Sequence, residues 1–191
     1  SLDGYIVVFY NGSDNESYRT VDLSGYSSDA NGYFIIGSDL FPGADIILGP
    51  DNTIQNGADA VAVYRGSVED FEEGTLATID DLVDALVYGT SDPEDQNLLN
   101  LLAQTEQIDE DVNGNSDLES MQRNFDGSWF VSTPTPRIPN DGSGITPVFI
   151  DVTPSSNLVN EGNSFTIDFE TSETLMEEII ITFSLINGGF T

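Results

Sequence analysis

Six residues between positions 109 and 117 have the side chains and the spacing of a calcium-binding loop. They are Asp109, Asp111, Asn113, Gly114, Asn115 and Asp117. In this D-x-D-x-N-G-N-x-D pattern, alternate side chains converge on one centre while the glycine permits a tight turn. Carboxylate and amide oxygens match a hard cation, so the pattern predicts a calcium site that uses every member except the glycine.

The same segment has a second interpretation, which is a solvated acidic loop that holds no ion. Ser120 occupies the twelfth position, where an EF-hand places a bidentate glutamate, and Glu119 lies one residue too early. Asp14, Asp29 and Asn31 offer another set of oxygen ligands. Turn formation is the favoured explanation for that set, because Asp and Asn side chains hydrogen-bond to nearby backbone groups.

Two further carboxylates, Asp59 and Asp84, lie inside predicted strands. An unpaired carboxylate is costly to bury there. Each is therefore predicted either to face solvent at an edge position or to pair with Arg65 or Arg123.

Acidic residues dominate the charge, with 34 Asp and Glu against four arginines and a net charge of -30. This surface repels phosphate backbones and anionic lipid, and no apolar run approaches the ~18 residues of a membrane span. We expect neither direct nucleic-acid binding nor membrane insertion, and cations are the natural partners. The sequence contains no His, Cys or Lys, which removes the commonest general base, thiolate nucleophiles and Schiff-base chemistry, so a non-catalytic chain is predicted.

The clearest strand pattern is the alternating segment 56–65. Both of its faces are mostly apolar, which predicts a central strand buried between two layers. Other strands are predicted at 2–10, 20–26, 32–37, 44–48, 82–88 and 128–131. Turn signals recur about every 8 to 12 residues, the spacing of an antiparallel sandwich.

One short helix is predicted after these first strands. Ser91 and Asp92 can cap it, Pro93 suits its first turn, and leucines at 98–102 supply an apolar stripe that runs to about Gln104. The composition changes after a Gly- and Ser-containing linker at 141–145. Residues 146–191 hold three alternating runs, too few for an independent sandwich, so they predict part of a second domain.

Six ordered motifs carry a resemblance to a known family. They are LDGY at 2–5, DLSGYSSDANGYF at 22–34, NGADAVAVY at 56–64, LVDALVY at 82–88, SMQR at 120–123 and TPTPRIPN at 133–140. Residues 1–140 thereby resemble the bacterial lamin-tail domain, in the acidic subgroup found in secreted multidomain proteins. With NEGNSFTIDFE and IIITFSLINGGFT, residues 146–191 are similar to the first part of a Calx-β or related immunoglobulin-like repeat.

The resemblance implies an all-β chain, namely an immunoglobulin-like antiparallel β-sandwich with one short helix, followed by a partial second sandwich. The family's domain begins with a strand upstream of LDGY that this sequence does not include. The sheet is therefore expected to have an open edge unless residues outside this sequence or another chain complete it. A second departure is Arg137, which replaces the closing glycine of the family's PTPG motif.

The resemblance also implies a function, a structural or interaction module of a large secreted or cell-surface bacterial protein. Neighbouring domains of the same polypeptide, or another protein, would be its partners, with calcium stiffening its loops. Two alternatives stay open, an accessory domain of an extracellular nuclease or phosphatase and a carbohydrate-binding module. The latter would use an aromatic platform, although core packing is favoured at this spacing. Its candidates are Trp129, Tyr5, Tyr26, Tyr33, Tyr64 and Tyr88.

Overall fold

A computed structural model describes residues 1–50, 53–140, 150–155, 164 and 166–171. The chain divides into two compact units, Ser1–Gly144 and Ile145–Thr191. Strands form most of the regular structure of the described residues, as the predicted all-β class requires. No helix among these residues is long and apolar enough to cross a membrane.

The described part of the first unit contains short strands and very little helix. Its strands are β1 (Tyr5–Asn11), β2 (Glu16–Asp22), β3 (Ile36–Gly37), β4 (Ile46–Ile47), β5 (Asp59–Arg65), β6 (Leu82–Gly89), β7 (Ile108–Asp109), β8 (Ser120–Arg123) and β9 (Trp129–Ser132). Its helical segments are a 3₁₀ helix, Val68–Phe71, and the α-helix α1 (Gln96–Leu101).

Strand β5 lies at the centre of a five-stranded sheet with the order β2-β1-β5-β6-β7. It pairs antiparallel with β1 on one side and β6 on the other, which places Ala62 opposite Val8 and Ala85. The predicted central strand in segment 56–65 is therefore confirmed. A strand flanked on both sides satisfies all of its backbone groups, which suits a segment with no strongly polar face.

Side chains of β5 alternate between two apolar clusters, one on each face of the sheet. Ala60, Ala62 and Tyr64 belong to the larger cluster, which α1 and the 3₁₀ helix cover. Val61 and Val63 pack into the smaller cluster, to which β3 and β4 contribute isoleucines. The first face is almost completely buried, whereas the second is only partly buried.

Several strands differ in length or direction from their predicted form. Strand β2 begins at Glu16 rather than Thr20, because Asn15 takes a left-handed conformation with φ 62° and turns the chain early. Strands β3 and β4 have only two residues each, and they pair parallel, as do β6 and β7. These two pairs depart from a wholly antiparallel arrangement. In the second, α1 lies in the connection, which gives the chain the crossover that a parallel pair needs.

The helix begins later and ends earlier than predicted. Asp95 is its N-cap, since its carboxylate accepts hydrogen bonds from the amides of Asn97 and Leu98. The predicted caps Ser91 and Asp92 are wrong: they lie in the preceding turn, where Asp92 accepts from the amide of Thr90 at 3.0 Å. Just past the last turn, Ala103 has a φ of 52°, a left-handed conformation that stops the helix before Gln104.

The remaining strands form two separate antiparallel pairs. β8 pairs with β9, which confirms the strand predicted around Trp129. In the second unit, β10 (Ile150–Pro154) pairs with β11 (Ile167–Thr171), as expected for its first two alternating runs. The third run, at 177–185, and the linker at 141–145 lie outside the described residues.

Candidate functional site

The predicted calcium segment follows β7 and consists of successive turns. Asp109 is the last residue of β7. Gly114 has a φ of 71°, and its amide donates to the carbonyl oxygen of Asp111 at 2.8 Å. The tight turn predicted at this glycine is thus present.

Two of the predicted ligands come together around Ser91. One oxygen of Asp109, Oδ1, accepts from the amides of Ser91 and Asp111, both at 2.9 Å. Asp111 Oδ1 accepts from the amide of Ser116 at 3.2 Å, and its Oδ2 accepts from the Ser91 hydroxyl at 3.4 Å. These contacts hold both carboxylates beside the turn that precedes α1.

The asparagines of the segment form hydrogen bonds through groups other than their side-chain oxygens. Asn113 Nδ2 donates to Glu119 Oε2 at 3.0 Å and to the carbonyl oxygen of Val131 at 3.1 Å, which ties the loop to β9. Asn115 accepts through its backbone carbonyl from Leu118 and Glu119. Within the described residues, no group of three or more acidic, His or Cys side chains is arranged to hold a metal. Calcium binding at Asp117 and its neighbours therefore stays a prediction.

The two strand carboxylates, Asp59 and Asp84, lie in different environments. Asp84 is exposed and forms an ion pair with Arg123, as one of its two interpretations predicted. Asp59 is only 3% exposed and pairs with no arginine, so both predictions for it are wrong. The reason is its position at the start of the central strand, opposite Tyr88, where neighbouring strands leave no edge.

Asp59 instead contacts the turn between β1 and β2. Its Oδ1 accepts from the amide of Gly12 at 2.9 Å, while its buried Oδ2 has no hydrogen-bond partner among the described residues. Asp95 lines the same cleft, together with residues 55–58. Sequence reasoning missed Asp95 and Gly12. The signals available were an Asn-Gly pair after a strand and an Asp immediately before the leucine stripe.

The second predicted ligand set, Asp14, Asp29 and Asn31, lies in turns, which was the favoured explanation for these residues. Asp29 Oδ1 accepts from the amides of Asn31 and Tyr33, and Asp14 Oδ1 accepts from the amide of Glu16. Asp29 also pairs through Oδ2 with Arg137 Nη1 at 3.0 Å.

Arg137 joins three loops of the first unit. Its second terminal nitrogen, Nη2, lies 2.6 Å from Asp45 Oδ2. Backbone amides and Arg137 together hold the pKa of both Asp29 and Asp45 below the usual range. Arg137 itself has a φ of 59°, a conformation that glycine adopts more easily.

The aromatic candidates do not share one surface. Tyr64 and Tyr88 are buried, as core packing predicted, whereas Tyr26 is exposed and its ring meets Phe34 edge-on. Trp129 is half-buried, with the guanidinium carbon of Arg123 5.7 Å from its ring centre.

The buried tyrosine hydroxyls form hydrogen bonds in the core. Tyr10 donates to the Tyr64 hydroxyl at 3.0 Å, which donates to the carbonyl oxygen of Thr78 at 2.8 Å. Burial raises the pKa of Tyr10, Tyr64 and Tyr88 above the usual value. These hydroxyls therefore stay protonated at neutral pH and act as structural donors.

The outer edge of β6 is open over most of its length. β7 pairs only with Tyr88 and Gly89, and no other strand in the described ranges pairs with that side of β6. The amide of Ala85 donates to the carboxylate of the preceding residue, Asp84, at 3.0 Å. Nearby, on the less covered face of the sheet, is a mainly apolar cleft of about 440 Å³ lined by Val61, Leu86 and Met121, among others.

Comparison of the sequence and the structure with family models, curated proteins and solved structures gives no match.

Proposed function

We propose that this chain is a non-catalytic structural or interaction module of a large secreted or cell-surface bacterial protein. In this proposal the first unit is an immunoglobulin-like β-sandwich whose second layer is formed by β3, β4, β8 and β9. The lamin-tail resemblance and the lysine-free acidic composition support the assignment. The observation that carries the interaction role is the open outer edge of β6.

An open edge presents backbone donors and acceptors to an added strand. Along 82–87 this edge has no strand neighbour within the part of the chain that the structure describes. Val83 is 52% exposed there, and the Ala85 amide donates to the adjacent carboxylate of Asp84. A strand from a neighbouring domain or another protein would replace that local hydrogen bond with ladder bonds.

The cleft beside β6 supplies the second part of such an interface. Backbone pairing gives affinity in strand addition, and pockets for alternate side chains give specificity. Leu86 and Met121 line a largely apolar space suited to one or two side chains of an added strand. The occupant is thus expected to be a protein segment with alternating apolar residues.

Amide hydrogen exchange tests whether the β6 edge is open. In the isolated chain at low concentration, we expect the Ala85 amide to exchange at least tenfold faster than those of Ala60 and Ala62. The reason is that β5 has a strand on each side, whereas β6 lacks one. Adding the neighbouring domains of the natural polypeptide should slow exchange at Ala85 and leave β5 unchanged.

The amides of Leu98 and Leu102 in α1 serve as an internal control, since an added strand does not approach them. Equal protection of Ala85 and the β5 amides in the isolated chain would contradict the proposal. Unchanged exchange at Ala85 after the neighbouring domains are added would also contradict it.

Calcium at the 109–117 loop is the second part of the proposed function. We expect millimolar calcium to raise the midpoint of thermal unfolding, and Asp111→Ala to remove the part of that rise due to the loop. Asp111 is the chosen residue because one of its oxygens bonds within the loop to the Ser116 amide and the other accepts from the Ser91 hydroxyl outside it. Asp126→Ala is a matched control, since Asp126 lies in a separate turn, where it accepts hydrogen bonds from Ser128. An identical calcium response in wild type and Asp111→Ala would leave the solvated-loop interpretation.

A further inference from the structure

We infer that the polar cleft between the β1–β2 turn, the start of β5 and Asp95 binds a hard divalent cation. The free Oδ2 oxygens of Asp59 and Asp95 are its charged ligands. The cleft has a volume of about 490 Å³ and is lined by Asn11, Gly12, Ser13, residues 55–58, Asp59 and Asp95. It is separate from the 109–117 segment, none of whose residues line it.

Asp59 is the first observation that indicates a ligand. Its side chain is 97% buried, and one oxygen is held by the Gly12 amide at 2.9 Å. The other oxygen, Oδ2, is buried without any hydrogen-bond partner. Buried polar atoms in proteins almost always have a partner, and a carboxylate oxygen pays a large desolvation cost without one. A cation in the cleft would supply the missing partner of Asp59 Oδ2.

Asp95 is arranged in the same way. Its Oδ1 accepts from the amides of Asn97 and Leu98, at 2.9 and 3.0 Å. Its Oδ2 faces Gly12, since a methyl group placed on Gly12 would lie 2.7 Å from this oxygen. Each carboxylate is thus fixed by backbone amides through one oxygen, and both residues line the cleft.

A backbone oxygen borders the same space. The methyl position on Gly12 would lie 1.8 Å from the carbonyl oxygen of Ala58. Glycine at position 12 therefore lets a carbonyl and a carboxylate approach the turn together. Such a mixture of carboxylate and carbonyl oxygens is the donor set that Ca²⁺ prefers, with water completing the 6–8 ligands at about 2.3–2.6 Å.

Within the part of the chain that the structure describes, no basic side chain neutralises these two carboxylates. The only basic side chains of the sequence are four arginines. Arg123 pairs with Asp84, and Arg137 pairs with Asp29 and Asp45. The other two have neutral partners: Arg19 donates to the carbonyl oxygen of Leu48 at 2.6 Å, and the Arg65 guanidinium lies over the Tyr5 ring at 4.2 Å. A bound divalent cation would supply the compensating charge.

Conservative amide substitutions test the site in a background that lacks the predicted calcium loop. In the Asp111→Ala chain, calcium chloride should shift the Gly12 amide resonance in a saturable manner. Asp59→Asn and Asp95→Asn should each weaken this response at least tenfold, because each removes one charged oxygen. Asn remains a good N-cap, so Asp95→Asn leaves α1 intact. Asp14→Asn removes one charge from an exposed turn and should leave the response unchanged.

Thermal unfolding gives an independent readout, because the difference in unfolding temperature between Asp59→Asn and its parent should change sign when calcium is added. In chelator, Asp59→Asn should unfold at the same or a higher temperature than its parent, because it removes an uncompensated buried charge. In millimolar calcium the order should reverse. A Gly12 resonance that does not move at millimolar calcium or magnesium would overturn the inference. An affinity in Asp59→Asn or in Asp95→Asn equal to that of the parent Asp111→Ala chain would also overturn it. An Asp59→Asn chain that is less stable in chelator would also overturn it.

Discussion

Gly12→Ala is expected to lower the free energy of unfolding of the first unit by about 3 kcal/mol or more. The new methyl group would lie 1.8 Å from the Ala58 carbonyl oxygen and 3.0 Å from its carbonyl carbon. No side-chain rotation relieves a contact with backbone, so the end of β1 must move away from β5. That movement also breaks the hydrogen bond from the Gly12 amide to Asp59.

Urea denaturation followed by tryptophan fluorescence measures this change, with Gly37→Ala as the matched control. At Gly37 the added methyl would meet the Ala44 methyl at 3.5 Å, an ordinary contact, so an effect within about 1 kcal/mol is expected. A Gly12→Ala chain as stable as Gly37→Ala would show that the turn does not lie against Ala58 as described. Gly12→Ala should also lose the calcium response of the polar cleft between the β1–β2 turn, the start of β5 and Asp95. The new methyl group would occupy the space beside the Ala58 carbonyl oxygen and Asp95 Oδ2.

Tyr64→Ala is expected to cost about 3–5 kcal/mol of unfolding free energy. Tyr64 is fully buried on the central strand, with its ring centre 4.3 Å from that of Phe71. Its hydroxyl accepts from Tyr10 and donates to the carbonyl oxygen of Thr78. Truncation therefore leaves a cavity and two unsatisfied polar groups in the larger core.

Tyr64→Phe separates these two contributions, because it keeps the ring and removes only the hydroxyl. We expect it to cost about 1–3 kcal/mol, the range for leaving buried partners unsatisfied. Tyr26→Ala is the exposed control, since 40% of that residue is accessible, and its cost should be smaller than that of either change. Urea denaturation would measure all three costs from the shift of the midpoint, at an unchanged dependence of the unfolding free energy on urea concentration. If Tyr64→Phe lowered the unfolding free energy as much as Tyr64→Ala, the predicted contribution of ring packing to stability would be contradicted.

Both variants act on β5, the part of the fold that the sequence predicts best. Its alternation of small and large apolar residues has a period of two, which determines a strand, and two apolar faces determine a central position. Apolar alternation with the same period also predicts β1, β6 and β9 correctly. It is less accurate for β3 and β4, where Gly and Asp residues interrupt the pattern and only two residues of each segment pair.

Helix capping shows where local patterns stop being sufficient. Ser91, Asp92 and Asp95 all precede the leucine stripe and all can accept amide hydrogen bonds. The fold selects Asp95, whose amide donates to Gln107 Oε1 at 2.9 Å, while Ser91 is held by Asp109. The choice depends on residues that follow the helix and pack back against its start.

By itself, the sequence determined the all-β class, the central strand and the exclusion of chemistry that needs His, Cys or Lys. These follow from local periodicity and composition, which do not depend on the path of the chain. Tertiary structure alone decided that Asp59 is buried against Gly12, 47 residues away, and that Arg137 joins Asp29, 108 residues away. The physical reason is that the burial and the partner of a charged group depend on which distant backbone segments pack beside it.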